Sequence, residues 1–172
     1  MIIKAIIGLG NPGARFDHTR HNIGFAVLDE LASKHGGSWR AKDNMEFAEI
    51  RIGDHALLLI KPQTFMNNSG QVIPALSKKG ITAENILVVH DELELPFADL
   101  RFKEGGSHKG HNGLRSLIDA GVQACKRLRF GIGRPATKQE VSDYVLMRFA
   151  EPRDRVQYEI DRAVQMIEEL FI

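Results

Sequence analysis

Short apolar runs alternate with amphipathic segments along the chain. Continuous apolar runs that end in glycine, proline or polar residues are typical of buried strands, and apolar residues at helical spacing are typical of helices. These patterns predict strands at residues 2–8, 47–52, 55–60, 86–89, 100–103 and 128–132. They predict helices at residues 22–35, 69–79, 114–122 and 152–171.

This order of elements favours an α/β fold. Strands that alternate with helices, together with one hairpin at Gly53-Asp54, predict a single-domain layered sandwich with a central mixed, mostly parallel sheet flanked by helices. The 172 residues suit one domain spanning 1–172. The last helix carries an apolar stripe that we expect to pack on the rest of the domain: Val156, Ile160, Ala163, Ile167 and Leu170.

The composition is that of an ordinary globular protein, with 43% hydrophobic and 26% charged residues. Its single cysteine, Cys125, excludes an internal disulfide, and the preceding residues predict that it ends a helix as a small buried side chain. No apolar run approaches membrane-spanning length, and the apolar run at the N-terminus is too short for a signal peptide. We therefore expect a cytoplasmic protein that does not associate with membranes.

The charge is distributed unevenly. A net charge of +1 gives the whole chain no strong attraction to nucleic acid. Basic residues nevertheless outnumber acidic ones between residues 99 and 134, whereas acidic residues outnumber basic ones between 136 and 172. The basic region is a candidate surface for phosphate contacts, although ordinary solvated side chains would explain it equally well.

Residues 8–13 match the glycine pattern of a dinucleotide-binding loop after a strand. That loop needs a helix starting within the glycines, so that backbone amides face the pyrophosphate. Pro12 has no N–H to offer, and residues 14–20 show no helical stripe. A rigid turn that presents the side chain of Asn11 fits the sequence better than a nucleotide site.

Two pairs of histidines, His18 with His21 and His108 with His111, have a spacing that zinc sites use. No cysteine accompanies them, and the glycines beside the second pair favour a flexible loop. His21 is better interpreted as a general base, because Asp91 follows the strand at 86–89 and offers a carboxylate. A carboxylate that accepts the Nδ1 proton leaves Nε2 free to take a proton from water.

Two further segments follow predicted strands and allow two interpretations each. In residues 61–70, Phe65 and Met66 either enter the core beside a helix cap or form a pocket wall. In residues 105–113, backbone amides and Lys109 either hold phosphates or form a flexible loop in which Asn112 caps a helix. Functional residues of α/β sheets gather in loops at the carboxyl ends of strands, where we expect both segments to lie.

Taken together and in this order, six blocks resemble the bacterial-type peptidyl-tRNA hydrolases. The blocks are GLGNPG (8–13), TRHN (19–22), PQTFMNNSG (62–70), HDELELP (90–96), GHNGL (110–114) and RLRFGIGRP (127–135). They cover the chain from residue 3 to about residue 149. The resemblance implies hydrolysis of the ester between a peptide and the 3′ end of tRNA without a cofactor. We also expect the protein to act as a monomer and to need no metal.

The resemblance also implies roles for individual residues. His21 falls at the catalytic base, Asp91 at the carboxylate that supports it, and Asn11 at the asparagine linked to telling a blocked peptidyl group from a free aminoacyl group. The implied substrate contacts and their neighbours are Phe16, Phe65, Met66, Asn67, His111 and Asn112. Many members of the family carry tyrosine at the position of Phe16, so a hydroxyl hydrogen bond is not expected here.

Basic residues are expected to hold acceptor-stem phosphates of the tRNA without reading its sequence. The candidates are Lys103, Lys109, Arg127, Arg129 and Arg134. Because family members often continue into a short basic tail after the last helix, tRNA binding is expected to be weaker here or to be carried by other residues. The alternative function is that of a non-catalytic RNA-binding relative of the same fold.

Overall fold

Among residues 2–172, seven strands form one mixed sheet with helices on both faces, which confirms the predicted fold class. The computed structural model describes residues 2–172, apart from the side chain of Gln139; Met1, the first residue of the predicted domain, lies outside the described residues. The strands are β1 (Ala5–Gly8), β2 (Arg40–Lys42), β3 (Met45–Ile52), β4 (His55–Pro62), β5 (Ile86–Glu92), β6 (Leu100–Glu104) and β7 (Lys126–Gly131).

The spatial order of the strands is β2-β3-β4-β1-β5-β7-β6. The four central strands, β4, β1, β5 and β7, are parallel to one another. The pairs β2–β3, β3–β4 and β6–β7 are antiparallel. The carboxyl ends of the four parallel strands therefore meet at one edge of the sheet, which we call the carboxyl edge.

Two layers of helices cover the sheet. The helices are α1 (Ile23–Lys34), α2 (Ile73–Lys78), α3 (Asn112–Asp119), α4 (Val141–Val145) and α5 (Arg153–Glu169). Short 3₁₀ turns lie at Ala14–Phe16, Arg20–Asn22, Met66–Val72, Ala83–Asn85 and Lys138–Glu140. Apolar residues of α1 and α5 pack in one core cluster on one face, and those of α2 and α3 pack in a second cluster on the other. No helix of residues 2–172 is long and apolar enough to span a membrane.

The last helix lies against α1, with Ile160, Ala163 and Ile167 of the predicted stripe buried in the first cluster. Leu170 of that stripe is exposed, and Phe171 is buried instead. At the end of this helix the buried position is therefore one residue later than the predicted stripe.

Several local predictions differ from the structure. Cys125 is buried, as expected, but it lies just before β7 and does not end a helix. Burial raises the pKa of its thiol, which makes it a poor nucleophile. The predicted helix at 69–79 begins as the 3₁₀ turn Met66–Val72 and becomes α-helical only at Ile73. The strand predicted to end at residue 89 continues as β5 through Glu92, so Asp91 lies within the strand.

Segment 105–113 is also placed differently from the prediction. Because β6 is antiparallel to β7, its last residue pairs with the first residue of β7, at the edge of the sheet opposite the carboxyl edge. The segment therefore has to cross the sheet face to reach the site. Arg127 fixes that path: its guanidinium donates to the carbonyl oxygens of Gly106 and Ser107 at 2.7 and 2.8 Å.

A close approach between α1 and the sheet fixes the turn that carries His21. A Cβ on Gly24 would lie 2.5 Å from the backbone nitrogen of Leu9 and from the carbonyl oxygen of Val89. Only glycine allows the helix to start this close to β1 and β5. The turn Arg20–Asn22, immediately before α1, is thereby held over the carboxyl edge.

Candidate active site

His21 and Asp91 are in direct contact at the carboxyl edge. The Nδ1 atom of His21 lies 2.9 Å from Oδ2 and 3.1 Å from Oδ1 of Asp91. Because a carboxylate only accepts hydrogen bonds, Nδ1 carries the proton and donates it. The Nε2 atom has no hydrogen-bond partner among residues 2–172 and is free to accept a proton.

His111 holds the other side of the same carboxylate. Its Nε2 atom lies 2.9 Å from Oδ1 of Asp91, and its Nδ1 accepts from the backbone N–H of Gly113 at 3.1 Å. An accepting Nδ1 requires that Nε2 bear the hydrogen and donate it to Asp91. His111, rather than Asn112, is also the N-cap residue of α3.

These contacts set the charges of the centre. Burial raises the pKa of the Asp91 carboxyl, but the neighbouring His21 and His111 outweigh it and hold the pKa below its usual range. Burial lowers the pKa of His21, but attraction and hydrogen bonding to Asp91 outweigh it, so the net pKa lies above its ordinary value of 6.5. The pair is therefore a carboxylate that stays ionised beside an imidazole with increased basicity.

His90 is a part of the site that sequence reasoning did not single out. It is 1% exposed, its Nδ1 donates to the backbone carbonyl of Asp91 at 2.9 Å, and its ring centroid lies 5.3 Å from that of His111. Burial, reinforced by repulsion from His111, lowers its pKa to about 3. A histidine directly before the candidate carboxylate on a buried strand was the available signal, and its neutral ring packs behind Asp91 and His111.

Asn11 is built into the turn after β1 by three hydrogen bonds. Its Oδ1 accepts from the backbone N–H of Met66 at 2.7 Å. Its backbone N–H donates to Oδ1 of Asn22, and its carbonyl accepts from Nδ2 of Asn22, both at 2.9 Å. Its own Nδ2 donates to no group among residues 2–172, so the side chain is fixed in place with one donor unused. The structural role of Asn22, next to His21, was not foreseen.

Met66 links Asn11 to the His111 side of the site. The side chain of Met66 is buried, and a Cβ on Gly113 would lie 2.5 Å from its sulfur and 3.2 Å from Cε1 of His111. Position 113 therefore accepts only glycine without repacking of these neighbours. For Phe65 and Met66 the sequence allowed either core packing or a pocket wall. Met66 is packed in the core, whereas Phe65 is not.

Phe65 is 54% exposed and has a positive φ of 59°. This backbone conformation is rare for a bulky residue and is maintained only where the surroundings enforce it. The exposed ring lies edge-on to Phe16, with the ring centroids 6.3 Å apart. Two aromatic rings thus lie side by side on the loops after β1 and β4.

A cleft of about 420 Å³ extends from His21 and Asp91. Its lining is rich in basic residues, and we call it the basic cleft. The site residues and basic side chains that line it are His21, Asp91, His111, Asn112, Lys103, Lys109, Arg127, Arg129, Arg134 and Lys138. Asn112 and Lys109 are exposed, and Asn67 is exposed outside this cleft.

The three candidate arginines have different surroundings. Arg127 is buried, with its guanidinium engaged by the loop carbonyls, which disfavours the predicted contact with tRNA phosphates. Arg134 is paired with Glu94. Arg129 forms no salt bridge among residues 2–172, and its buried Nε has no hydrogen-bond partner. Arg129 is therefore better placed than Arg127 to receive an anion.

The ligand atoms of His21, Asp91 and His111 lie within 4.8 Å of one another, a spacing that a metal ion could use. Both histidine nitrogens nevertheless lie at 2.9 Å from carboxylate oxygens, which is the geometry of hydrogen bonds. The amide of Gly113 occupies the free lone pair of His111, which leaves the hydrogen on Nε2. A nitrogen that bears a hydrogen cannot act as a metal ligand, so this donor set does not suit a metal.

The comparisons with known proteins point to one family. A family model described as peptidyl-tRNA hydrolase matches residues 5–172. Proteins with that name from Ruegeria pomeroyi and Rubrobacter xylanophilus are 47% and 46% identical to 86% and 94% of this chain. The crystal structure of peptidyl-tRNA hydrolase from Acinetobacter baumannii matches 97% of this chain and 85% of its own, with 38% identity and a TM-score of 0.88.

The relatives differ in how much of their own length is matched. The chain spans 63% of the Ruegeria pomeroyi protein and 64% of a relative from Paracoccus denitrificans. It spans 90% of the Rubrobacter xylanophilus protein. Residues 5–172, which the family model matches, contain the whole of the hydrogen-bonded centre around Asp91.

Proposed function

The chain belongs to the peptidyl-tRNA hydrolase family, and we therefore propose that it hydrolyses the ester between a peptide and the 3′ end of tRNA. Such a reaction releases the peptide and returns the tRNA for reuse in translation. The observation that carries the proposal is the contact of His21 Nδ1 with the Asp91 carboxylate, because it leaves a basic Nε2 free. An ester needs less activation than an amide, so a water molecule and one base suffice.

His21 acts as the general base. Its Nε2 removes a proton from water while the water oxygen attacks the ester carbonyl carbon, which produces a tetrahedral oxyanion. Asp91 stabilises the imidazolium that forms, and His111 keeps the carboxylate oriented. When the intermediate collapses, the bond to the tRNA 3′ oxygen breaks and the imidazolium returns its proton to that oxygen.

Neutral amides supply the recognition of the acyl group. The unused Nδ2 donor of Asn11 and the exposed side chains of Asn67 and Asn112 are the candidate donors to the oxyanion and to peptide carbonyls. Since every peptide offers the same backbone groups, such recognition tolerates any side chain. A free amino group is charged and poorly matched to neutral amide groups, which spares aminoacyl-tRNA.

The tRNA is held by charge and stacking. Lys103, Lys109 and Arg129 in the basic cleft contact phosphates near the acceptor stem. Phe16 and Phe65 offer neighbouring aromatic rings on which a base near the 3′ end stacks. Phosphate contacts and stacking do not depend on the tRNA sequence, so many tRNAs are substrates.

We also propose that the chain acts as a monomer in the cytoplasm. All groups of the centre, from Asn11 to His111, come from one chain, so no second copy is needed to complete it. Peptidyl-tRNA arises where ribosomes work, which places the substrate in the same compartment. Sedimentation at micromolar concentration would reveal a dimer if the first part of this proposal were incorrect.

The decisive experiment measures release of an N-acetylated aminoacyl group from tRNA by the purified protein in the presence of a chelator. The His21→Ala variant and an unblocked aminoacyl-tRNA are assayed in parallel. Cleavage of the blocked substrate alone, lost in the variant, is the expected result. Binding of tRNA without cleavage would instead indicate a non-catalytic RNA-binding relative. Cleavage that occurs without the chelator but not with it would indicate that the reaction needs a metal ion.

A further inference from the structure

Arg20, the residue before His21, is a buried cation without an acidic partner. Its side chain is 5% exposed, and no carboxylate lies within salt-bridge distance of it among residues 2–172. Burying a charge is costly unless other polar groups replace the water. The contacts that replace it therefore indicate what this arginine does.

Those contacts come from one segment, residues 141–149, which we call the wall segment. The Nη1 atom of Arg20 donates to the carbonyl oxygen of Tyr144 at 2.9 Å, and the guanidinium carbon lies 3.8 Å from the centre of the Tyr144 ring. The backbone N–H of Arg20 donates to the carbonyl of Met147 at 3.1 Å. Thr19 forms an isolated β-bridge with Arg148.

Other residues of the wall segment face the basic cleft. Val141, Ser142 and Val145 line the cleft together with His21 and Asp91. The hydroxyl of Tyr144 donates to the carbonyl of Ile132 after β7, which fixes the wall segment to the carboxyl edge. Arg20 thus joins two pieces of the same site: the turn that carries the base and the wall that faces the substrate.

We propose that Arg20 is a positioning residue whose guanidinium, held by the carbonyl and the ring of Tyr144, fixes the His21 turn relative to the wall of the basic cleft. Both contacts need a planar group that can stack and donate at once, which arginine provides and lysine does not. Because positioning matters only for a reacting base, this proposal rests on the proposed ester hydrolysis.

The test replaces Arg20 with lysine, which keeps the charge and removes the planar group. The matched control is Arg40→Lys on the exposed strand β2, where the arginine also lies over an aromatic ring. We expect Arg20→Lys to lower kcat by roughly ten- to a hundredfold with little change in KM, because small displacements of a reacting group have such effects. Arg40→Lys should leave both unchanged.

A second readout reports on His21 without any turnover. The pKa of His21, followed by NMR titration, should fall in Arg20→Lys because a displaced ring loses part of its contact with Asp91. The acidic limb of the kcat–pH profile should move to lower pH by the same amount. All variants retain the titratable and charged groups that line the cleft with His21, namely His90, Asp91, Glu92, Glu94, Lys103, His108, Lys109, His111, Arg127, Arg129, Arg134 and Lys138.

Tyr144→Leu supplies a second variant that leaves Arg20 in place. If Arg20 acts through Tyr144, this variant lowers kcat by a similar factor, and the double variant is no slower than either single one. Additive losses, or an unchanged His21 pKa in folded Arg20→Lys protein, would overturn the proposal. Failure of the wild-type protein to cleave blocked substrate would refute the hydrolase function instead, while the NMR titration would still report on positioning.

Discussion

The Nδ1 atom of His21 lies 2.9 Å from Oδ2 of Asp91, and the side chain of Asp91 is only 2% exposed. A carboxylate this deeply buried needs compensation, and here two histidines provide it. His111 has its hydrogen fixed on Nε2 by the amide of Gly113. Because the carboxylate accepts from both rings, His21 and His111 each keep a hydrogen on the nitrogen that faces Asp91.

Asp91→Asn should reduce kcat by about ten-thousandfold while the protein stays folded, as the same change does in a catalytic triad. His111 donates from Nε2, so the oxygen of the new side-chain amide must face His111 and its NH₂ must face His21. Nδ1 of His21 then has to accept, which moves the proton to Nε2 and removes the base. Single-turnover release of an N-acetylated aminoacyl group from tRNA measures the effect.

Removing His111 offers a check on this explanation. In Asp91→Asn with His111→Ala, the amide is free to turn its oxygen towards His21 and restore the useful tautomer. The double variant should therefore be faster than Asp91→Asn alone, although it loses the cap of α3. A double variant slower than the single one would show that the tautomer is not the cause. Asp99→Asn, at a carboxylate on the surface that pairs with Arg101, serves as the control.

The pH dependence of kcat/KM should follow the ionisation of His21. Protonated His21 cannot act as a base, so activity is lost as the pH falls through its pKa. Because Asp91 outweighs burial and raises that pKa, the acidic limb should have its midpoint above 6.5. A rate profile from pH 5 to 9 measures this midpoint. A midpoint below 6.5 would mean that Asp91 does not stabilise the imidazolium as described.

Stability should depend on pH through His90. Its pKa is lowered to about 3 in the folded state, against an ordinary value of 6.5. Between pH 3 and pH 6.5, His90 is therefore protonated in the unfolded chain but neutral in the folded protein. This contribution to stability is present above pH 6.5 and is lost as the pH falls towards 3. The loss approaches about 1.4 kcal/mol per pH unit for one proton.

His90→Gln should flatten this part of the profile, whatever its effect on stability at neutral pH. Denaturant unfolding at pH 4 to 7 gives the slope for each protein. His55→Gln makes the same change at an exposed histidine and should retain the wild-type slope. Equal slopes for His90→Gln and the wild type would indicate that another group titrates in this window.

The main elements of the fold were predictable from the sequence, because apolar runs and helical stripes identify elements buried on the sheet. The short strand β2 and the helix α4 were missed. Arg40–Lys42 is exposed throughout and carries no apolar pattern, while Val141–Val145 is too short to show a helical period. The predicted position of segment 105–113 was wrong because the sequence does not specify that β6 is antiparallel to β7.

The candidate site was predictable in part. His21 and Asp91 could be paired as a hypothesis, since a histidine and a carboxylate after strands suit a base and its support. The contact of His111 with Asp91 was not expected, because it depends on how the segment returns across the sheet face. The burial of Arg127 was not predicted for the same reason: charge is visible in a sequence, but burial beneath a loop is not.

Arg127 and Arg129, both in β7, allow tRNA binding and protein stability to be tested separately. Arg129→Gln should raise KM, leave kcat nearly unchanged and reduce the slope of log affinity against log salt by about one. Arg127→Gln should instead lower stability, since it leaves the carbonyls of segment 105–113 without their donors. Filter binding of tRNA at several salt concentrations, beside thermal unfolding, distinguishes the two. An unchanged salt slope in Arg129→Gln would remove this residue from the phosphate site.

Asn11→Asp tests how the enzyme rejects free aminoacyl-tRNA. Aspartate keeps an oxygen that can accept from the N–H of Met66, so the turn should hold. It replaces the unused Nδ2 donor with an anion, which repels a developing oxyanion and attracts a charged amino group. The ratio of kcat/KM for blocked over unblocked substrate should therefore fall, by roughly tenfold for about 1.4 kcal/mol of changed interaction. An equal loss on both substrates would mean that Asn11 supports catalysis without selecting the substrate.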